Sequence, residues 1–331
     1  MTSAVPVDFP DTDVEAHILE GLALVESVIR DTARAEESLL TEASLHLVDA
    51  GGKRFRAMLV LLAGQFGDPH DPRLVPAAAA IELTHLATLF HDDVMDEAAI
   101  RRGHPSANSR WDNTVAILTG DFLFARASRI LADLGAEAIR IQTETFARLV
   151  SGQVAETVGP RPGEEALDHY WRVVTEKTAS LIATAGQFGA MFSGAPAEIV
   201  SRVQRACEAL GVAFQISDDI LDISSETGQS GKTPGTDLRE GVQSLPVLHA
   251  LASPDPAGGR LRDLLARGPL TGEAEHAEAL ALLRTSPAMQ ATRDDLVTWT
   301  RKAREHVLAL PAGSARAAFE TLCAFVVERT G

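Results

Sequence analysis

Helical periodicity runs through almost the whole chain and constrains the fold more than any other feature. Ala, Leu, Glu and Arg are abundant, and the alternation of polar with β-branched residues that is typical of strands is nearly absent. The predicted helices are Val14–Leu40, Leu45–Asp49, Arg54–Phe66, Leu74–Asp96, Asn113–Leu134, Ala138–Glu156, Leu167–Ser193, Ala197–Ser224 and Ser244–Leu251, with several more after Gly259. The Gly- and Pro-containing breaks between them are too short to link separate domains. We therefore predict an all-α fold, one large helical bundle that forms a single domain over residues 1–331.

Composition and charge exclude several classes of protein. Hydrophobic residues make up 45% of the chain and charged residues 23%, which is typical of a globular protein. A formal net charge of −16 argues against nucleic acid or an anionic membrane surface as a partner. The two cysteines, Cys207 and Cys323, have no metal-binding or redox spacing, and no secretory leader is visible. The longest apolar run, Ala57–Ala63, is too short to span a bilayer, so we predict a cytoplasmic protein without a transmembrane segment.

Two copies of an acidic motif, Asp-Asp-x-x-Asp, lie within otherwise apolar helical segments at Asp92–Asp96 and Asp218–Asp222. Positions i and i+4 share one helix face, and like charges there destabilise a helix by roughly 0.2–0.5 kcal/mol per pair. A divalent cation offsets that cost, and magnesium typically takes one or two carboxylates together with water and substrate phosphates. The alternative, a solvated acidic face, suits Asp294–Asp295 but not motifs flanked by apolar residues. We predict that the two motifs converge as a metal site, with the acidic residues Asp92, Asp93, Asp96, Asp218, Asp219 and Asp222.

The tightest basic clusters in this acidic chain are Gly51–Arg56 and Arg101–Gly103. Guanidinium and ammonium groups near glycine or a helix N-terminus suit phosphate oxygens, although basic residues at helix ends are often simply exposed. His85 lies on nearly the same helix face as Asp92, about 10 Å away by helix rise, and is either a ligand or a satisfied core histidine. Lys177–Thr178 and the Gly231–Gly235 loop contribute further cations.

In this order, the motifs resemble those of the trans-prenyl diphosphate synthases, also called polyprenyl synthetases. The resemblance extends from Gly51 to Pro246 and rests on GGKRFR, ELTHLATLFHDDVMDEAAIRRG, GDFLFAR, EKTASLI, FQISDDILD and GKTPGTDLREG. It implies the isoprenoid synthase type of helical bundle, with a central elongation cavity. Two positions depart from the usual pattern: Ala57 replaces a proline, and Val242 replaces a lysine.

The resemblance also implies the substrates and the residues that bind them. An allylic diphosphate (geranyl, farnesyl or geranylgeranyl diphosphate) is held through about three Mg²⁺ ions and condensed head to tail with isopentenyl diphosphate. Asp92, Asp96 and Asp218 are implied as direct metal ligands, and Asp93, Asp219 and Asp222 as direct or water-mediated ones. Arg101 is implied to hold the allylic diphosphate, and Lys53, Arg56, His85 and Arg102 the isopentenyl diphosphate. The residues implied to line the allylic diphosphate and the developing carbocation are Lys177, Thr178, Gln215 and Lys232.

Product length is predicted from the two residues that, by the same resemblance, form part of the pocket floor. These are Thr88 and Ala87, and both are small. A helical turn rises about 5.4 Å, close to the length of one isoprene unit, so small residues leave room for a longer tail. Close helix packing is the alternative reason for small residues here, and Phe122 or Phe124 are candidates for deeper stops. We predict a product of about 30–50 carbons for a quinone side chain, with a short-chain product of about 15–20 carbons as the alternative.

Two other functions share this sequence pattern. A class I terpene cyclase has a similar first motif, but its second motif usually mixes Asn, Ser and Glu, and it usually lacks the basic pocket. A non-catalytic subunit normally loses aspartates, whereas all six are present here. The resemblance further implies a homodimer.

Overall fold

The computed structural model describes residues 7–225 and 234–330. Over these residues the chain forms sixteen α-helices, one π-helical segment, one short 3-10 turn and one hairpin of two-residue strands. The first ten helices are α1 (Thr12–Thr32), α2 (Ser38–Asp49), α3 (Phe55–Gly64), α4 (Leu74–Met95), α5 (Ala107–Arg110), α6 (Asn113–Leu134), α7 (Ala136–Val158), α8 (Ala166–Val173), α9 (Ser180–Phe192) and α10 (Ala197–Ser224). The other six are α11 (Thr236–Glu240), α12 (Leu245–Ala252), α13 (Gly259–Leu265), α14 (Glu273–Thr285), α15 (Pro287–Leu308) and α16 (Ser314–Glu328). The predicted all-α class is confirmed.

The remaining elements are short. Strands β1 (Ile100–Arg101) and β2 (His104–Pro105) pair antiparallel between α4 and α5. The π-helical segment, Val174–Ala179, joins α8 to α9, and a 3-10 turn, Pro256–Gly258, precedes α13.

The chain divides into two compact units. The first contains Met1–Ala147, Leu181–Cys207 and His306–Thr321, and the second contains Arg148–Ser180, Glu208–Glu305 and Leu322–Gly331. Each unit carries one of the two aspartate motifs, the first motif on α4 and the second on α10.

Helix α4 lies in the core of the first unit and packs most extensively against α6, with α1 and α3 as further neighbours. Gly120 of α6 allows a close approach, because a Cβ atom there would lie 3.0 Å from the carbonyl oxygen of Ala87 and would overlap the ring of His91. By length and composition α4 is also the one described helix apolar enough to cross a bilayer, with a mean hydropathy of 1.3. Since 72% of that stretch is buried inside the protein, its apolar character is accounted for by core packing.

The core of the second unit combines aliphatic residues of α10 with an aromatic cluster. Ile216 and Ile220 of α10 are fully buried. The ring centroid of Trp171 lies 5.0 Å from that of Tyr170 and 5.7 Å from that of Trp299, which connects α8 to α15. This packing fixes the position of Tyr170, whose hydroxyl reaches the second aspartate motif.

Two predicted helices are wrong in their continuity. The predicted helix Val14–Leu40 is interrupted between α1 and α2, where the Thr41 hydroxyl accepts a hydrogen bond from the N–H of Ala35 at 2.8 Å and donates one to its carbonyl at 3.0 Å. These side-chain bonds replace helical backbone bonds, so the break needs no glycine or proline. The predicted helix Leu167–Ser193 is divided by the π-helical segment, which no sequence signal marked.

Candidate active site

The first aspartate motif lies at the carboxyl end of α4. The backbone N–H of Asp96 donates to the carbonyl oxygen of Asp92 at 2.8 Å, so the two side chains leave the same face of an intact turn. Asp92 is half-buried and Asp96 is exposed, whereas Asp93 is fully buried. Burial raises the pKa of the Asp93 carboxyl, and the guanidinium of Arg101, whose Nε donates to it at 2.6 Å, opposes that change. Asp93 therefore anchors Arg101, and Asp92 and Asp96 are the accessible carboxylates.

Arg102 attaches the hairpin to the end of α2. Its guanidinium donates to the carbonyl oxygen of Leu47 at 3.0 Å and to that of Gly51. A Cβ atom on Gly52 would lie 3.1 Å from the same guanidinium, so glycine lets this group lie against the backbone. Burial lowers the pKa of Arg102 to about 10, with neighbouring arginines adding to the effect.

The loop before α3 and the first turn of that helix carry one buried arginine and two cationic side chains that are exposed or half-buried. Arg54 adopts a left-handed conformation with φ of 46°, is buried, and donates to the carboxylate of Glu26 at 2.9 Å. Lys53 is exposed and Arg56 is half-buried. The two predicted binding residues of this stretch are thus less buried than Arg54.

At the start of α3, the unusual alanine has a defined role. The N–H of Ala57 donates to Oε1 of Glu82 at 3.0 Å, which brings a carboxylate of α4 to the N-terminus of α3. A proline at this position has no N–H and would lose this bond.

His85 lies among the arginines of the first unit. Burial lowers its pKa well below 6.5, and the positive charges of Arg56, Arg102, Arg54 and Arg101 lower it further. Its ring is therefore neutral at pH 7 and acts as a neutral hydrogen-bonding group. The structure brings together four of the five residues predicted to bind diphosphates, with Lys53 exposed on the adjoining loop.

The second aspartate motif lies near the carboxyl end of α10, and its middle residue is held by the protein. Oδ2 of Asp219 accepts hydrogen bonds from the Tyr170 hydroxyl at 2.7 Å and the Leu245 N–H at 3.0 Å, and Oδ1 accepts one from Nε2 of Gln215 at 3.0 Å. The residue is 4% exposed, and burial raises its pKa to about 6. The same burial, with the nearby Asp219 charge, raises the pKa of Tyr170 well above 10. Both oxygens of Asp219 therefore already have protein donors.

Asp218 and Asp222 are half-buried rather than buried. Asp218 forms an ion pair with Arg329, which follows α16 and whose guanidinium also lies 4.4 Å from the ring centroid of Phe214. Oδ1 of Asp222 accepts from the N–H of Thr236 at 3.2 Å, at the start of α11. A guanidinium group thus pairs with Asp218, and a backbone N–H donates to Asp222, in this structure.

Three of the predicted catalytic residues belong to one connected region of the second unit. The Thr178 hydroxyl donates to Oε1 of Gln215 at 3.1 Å, and the same amide donates onward to Asp219. Lys177, beside Thr178 in the π-helical segment, forms an ion pair with Glu156 of α7. The predicted site residue Lys232 lies outside the described residues.

The predicted floor residues, Ala87 and Thr88, are both buried on α4. The Thr88 hydroxyl donates to the carbonyl oxygen of His85 at 2.8 Å, so its methyl group is the part left for apolar contact. On α6, Phe124 stacks on Phe146 of α7 with 4.0 Å between ring centroids. The small residues and the stacked pair belong to the same unit.

Comparison with known proteins identifies the fold. A family model described as polyprenyl synthetase matches residues 37–283. The chain belongs to the polyprenyl synthetase family. It is 48% identical over 331 residues to a nonaprenyl diphosphate synthase of Mycobacterium tuberculosis, covering 100% of this chain and 98% of the relative. It is also 42% identical to a dimethylallyltranstransferase of the same species, with 96% of each chain covered.

Solved structures of polyprenyl synthetases match over nearly the whole chain. The crystal structure of a geranylgeranyl pyrophosphate synthase from Corynebacterium glutamicum, complexed with calcium and isoprenyl diphosphate, is 44% identical and superposes with a TM-score of 0.88. The match covers 98% of this chain and 100% of that one. The predicted isoprenoid synthase type of fold is confirmed.

The donor set of this polyprenyl synthetase fits magnesium. Within residues 7–225 and 234–330, no three His, Cys, Asp or Glu side chains are grouped closely enough to hold an ion by themselves. Magnesium does not require such a cage, because it typically binds one or two carboxylates and completes its octahedron with water and phosphate oxygens. Asp92 and Asp96, accessible and on one face of a helical turn, match that requirement.

Sequence reasoning missed three residues that contact the predicted site. Tyr170 binds Asp219, Arg329 binds Asp218, and Glu156 binds Lys177. Tyr170 and Arg329 are 49 and 111 positions from their partners, so no local spacing indicates the contacts.

Proposed function

We propose that this chain is a trans-polyprenyl diphosphate synthase, a prenyltransferase that adds isopentenyl units to an allylic diphosphate. In each cycle the C1–O bond of the allylic diphosphate breaks and diphosphate leaves. The double bond of isopentenyl diphosphate forms a new carbon–carbon bond to C1. A proton then passes from C2 of the isopentenyl unit to the released diphosphate as the new allylic double bond forms. The observation that carries the proposal is the grouping in the first unit of accessible carboxylates, Asp92 and Asp96, with a cationic cluster that suits diphosphates.

We propose that Asp92, Asp96, Asp218 and Asp222 hold Mg²⁺, about three ions with substrate bound. Magnesium supplies charge neutralisation for the departing diphosphate. Asp93 and Asp219 take part indirectly, because their carboxylates are bonded to protein donors. In this proposal those bonds fix the orientation of each helix and hence of its other two aspartates.

The basic residues bind and orient the substrates in this proposal. Arg101, fixed by Asp93, donates to the allylic diphosphate with its outer nitrogens. Lys53, Arg56 and Arg102 bind isopentenyl diphosphate, and neutral His85 donates a hydrogen bond to it without adding to the positive charge.

In the second unit, Lys177 contributes a charge to the allylic diphosphate. Thr178 and Gln215 present polar atoms to the developing cation, and the hydrogen bond between their side chains fixes their relative positions. We propose the same cation-lining role for Lys232. Apolar neighbours exclude water, which would otherwise convert the cation to an alcohol.

We further propose a long-chain product of about 30–50 carbons for a quinone side chain. Two observations support this: the small, buried Ala87 and Thr88, and 48% identity to a nonaprenyl diphosphate synthase. The 44% identity to a geranylgeranyl pyrophosphate synthase favours the alternative of a shorter product.

We propose that residues 1–331 act as a single synthetase domain, and that the enzyme is a cytoplasmic homodimer. Apart from the core helix α4, no described helix is long and apolar enough to cross a bilayer. The net charge of −16 supports the absence of nucleic acid among its partners.

The purified chain alone, with Mg²⁺, farnesyl diphosphate and isopentenyl diphosphate, provides the test. We expect successive elongation, with dephosphorylated products of about 30–50 carbons by mass spectrometry. Products of 15–20 carbons would replace the long-chain proposal with the short-chain one. No elongation would favour a non-catalytic subunit, and a cyclic hydrocarbon released without use of isopentenyl diphosphate would identify a terpene cyclase.

A further inference from the structure

The π-helical segment carries Glu176, Lys177 and Thr178, and it lies against α7 within the second unit. A π-helical segment contains a wider turn than an α-helix, so it changes the direction in which its side chains leave the backbone. Such segments are frequent at functional sites. The contacts that hold this segment in place therefore affect the direction of the Lys177 side chain.

Three residues of α7 at intervals of four, Arg148, Gly152 and Glu156, contact the segment; we call them the α7 stripe. Residues at i, i+4 and i+8 follow one face of a helix, so the stripe faces the segment over two turns. The guanidinium of Arg148 donates from Nε and Nη2 to the carboxylate of Glu176, at 2.9 and 3.3 Å. At the other end, the Glu156 carboxylate forms an ion pair with the Lys177 ammonium group.

Between these two ion pairs, Gly152 sets how closely the backbones approach. A Cβ atom on Gly152 would lie 2.5 Å from the backbone nitrogen of Lys177 and 3.0 Å from the carbonyl carbon of Glu176. The obstructing atoms belong to the backbone and cannot rotate away, so any larger residue displaces the segment. Arg148 also donates to Glu208 of α10 at 2.9 Å, which connects this arrangement to the helix that carries the second aspartate motif.

We propose that the α7 stripe positions Lys177. Arg148 and Gly152 fix the backbone from which its side chain extends, and Glu156 holds its ammonium group until a diphosphate replaces the carboxylate. The inference rests on the proposed function, in which Lys177 binds the allylic diphosphate. A flexible chain of four carbons links the lysine ammonium group to the backbone, so the position of the ammonium group depends on the position of the backbone. Gly152 and Arg148 touch no substrate in this scheme and act through Lys177.

Gly152→Ala is the decisive substitution, and Val154→Ala on the exposed side of α7 is its control. Alanine has the higher helix propensity, so α7 alone would be stabilised by the change. Because a displaced Lys177 ammonium group loses a hydrogen bond to a charged ligand, we expect the Kd for inorganic pyrophosphate in saturating Mg²⁺ to rise at least about tenfold. The KM for the allylic diphosphate should rise in parallel, while the KM for isopentenyl diphosphate stays within about twofold.

Arg148→Gln, whose site is partly exposed, supplies a second variant if Gly152→Ala fails to fold, with Arg148→Lys as the conservative comparison. We expect Gln to raise the pyrophosphate Kd and Lys to restore part of the loss. A purely structural role would lower the active fraction, and hence kcat, but would leave both KM values unchanged; that result overturns the inference. So does unchanged pyrophosphate binding in a folded Gly152→Ala protein. Wild-type protein that binds pyrophosphate but does not elongate refutes the proposed function alone, since the Kd comparison still decides the role of the stripe.

Discussion

At the scale of single residues, the two aspartate motifs share a division of roles. The middle aspartate of each is buried and bonded to protein, Asp93 to Arg101 and Asp219 to Tyr170 and its neighbours. The outer aspartates of both motifs are more accessible. A buried carboxylate that accepts bonds from protein donors helps to fix the position of its neighbours, whereas a metal ion from solvent can reach a more exposed one.

The raised pKa of Asp219 predicts a pH dependence of stability in the metal-free protein. Its pKa is about 6 in the folded protein and 3.8 as the ordinary value, so between these values the folded state binds a proton that the unfolded state does not. Stability therefore falls as the pH rises through that window. Asp219→Asn cannot ionise, so the stability of the wild type relative to this variant should fall by about 1.4 kcal/mol from pH 5 to pH 7.

Urea denaturation of both proteins without Mg²⁺ at the two pH values measures this difference. Asn preserves the shape of the side chain, and a rotated Gln215 amide can still bond to it. If the difference in free energy of unfolding between the wild type and the variant does not change with pH, then Asp219 stays ionised in the folded protein.

The ion pair between Arg329 and Asp218 predicts a stability effect that depends on metal. The Arg329 side chain is only 12% exposed, so replacing it with Gln leaves Asp218 without its nearby counter-charge. We expect Arg329→Gln to lower the free energy of unfolding of the metal-free protein by about 1 kcal/mol. With Mg²⁺ and pyrophosphate bound, the deficit should shrink, because the metal then compensates the carboxylate.

Thermal denaturation with and without Mg²⁺ and pyrophosphate tests this expectation. Arg301→Gln is the matched control, since Arg301 is 64% exposed and pairs with Glu305 one turn away. Equal melting temperatures for Arg329→Gln and the wild type in the absence of metal would contradict the account.

At the scale of secondary structure elements, the sequence predicts helices well where periodicity is strong and boundaries poorly where side chains intervene. The predicted Asn113–Leu134 and Ala197–Ser224 agree with α6 and α10 in both bounds. The break between α1 and α2 depends on a Thr41 hydroxyl that competes with backbone bonds, which composition does not reveal. The π-helical segment depends on contacts with α7 that are remote in sequence, so periodicity alone predicts an uninterrupted helix there.

Helix α4 also carries a prediction about product length. Ala87 is buried, and α4 approaches α6 closely at Gly120. The close packing leaves no room for a phenylalanine ring between these helices, so a ring at residue 87 would have to occupy the proposed product cavity. One helical turn rises about 5.4 Å, close to one isoprene unit, so we expect Ala87→Phe to shorten the product by one or more units.

Reverse-phase analysis of dephosphorylated products provides the measurement. Leu24→Phe on the exposed side of α1 is the control for adding a ring elsewhere in the unit. An Ala87→Phe enzyme that elongates to the wild-type length would show that residue 87 is not part of the floor.

At the scale of the whole molecule, the sequence predicts the all-α fold class, but it does not predict the long-range partners of the proposed site residues. The paired aspartate motifs are recognisable from their spacing, whereas the proposed roles of His85 and Arg101 depend on the resemblance to the polyprenyl synthetase family. Spacing does not reveal their environment. Burial lowers the pKa of His85 most, and arginines from two segments of the chain lower it further. The position of the Asp219 carboxylate depends on its hydrogen bond from Tyr170. Long-range packing creates these effects, which is why they required the structure.

We propose that each of the two aspartate motifs contributes to magnesium-dependent binding of diphosphate. Isothermal titration of inorganic pyrophosphate in saturating Mg²⁺ tests this proposal directly with Asp92→Asn, Asp218→Asn and, as a control at an exposed carboxylate, Asp294→Asn. We predict that the first two substitutions each weaken binding at least about tenfold and that the third leaves it unchanged. Wild-type affinity in either Asp92→Asn or Asp218→Asn would contradict the claim.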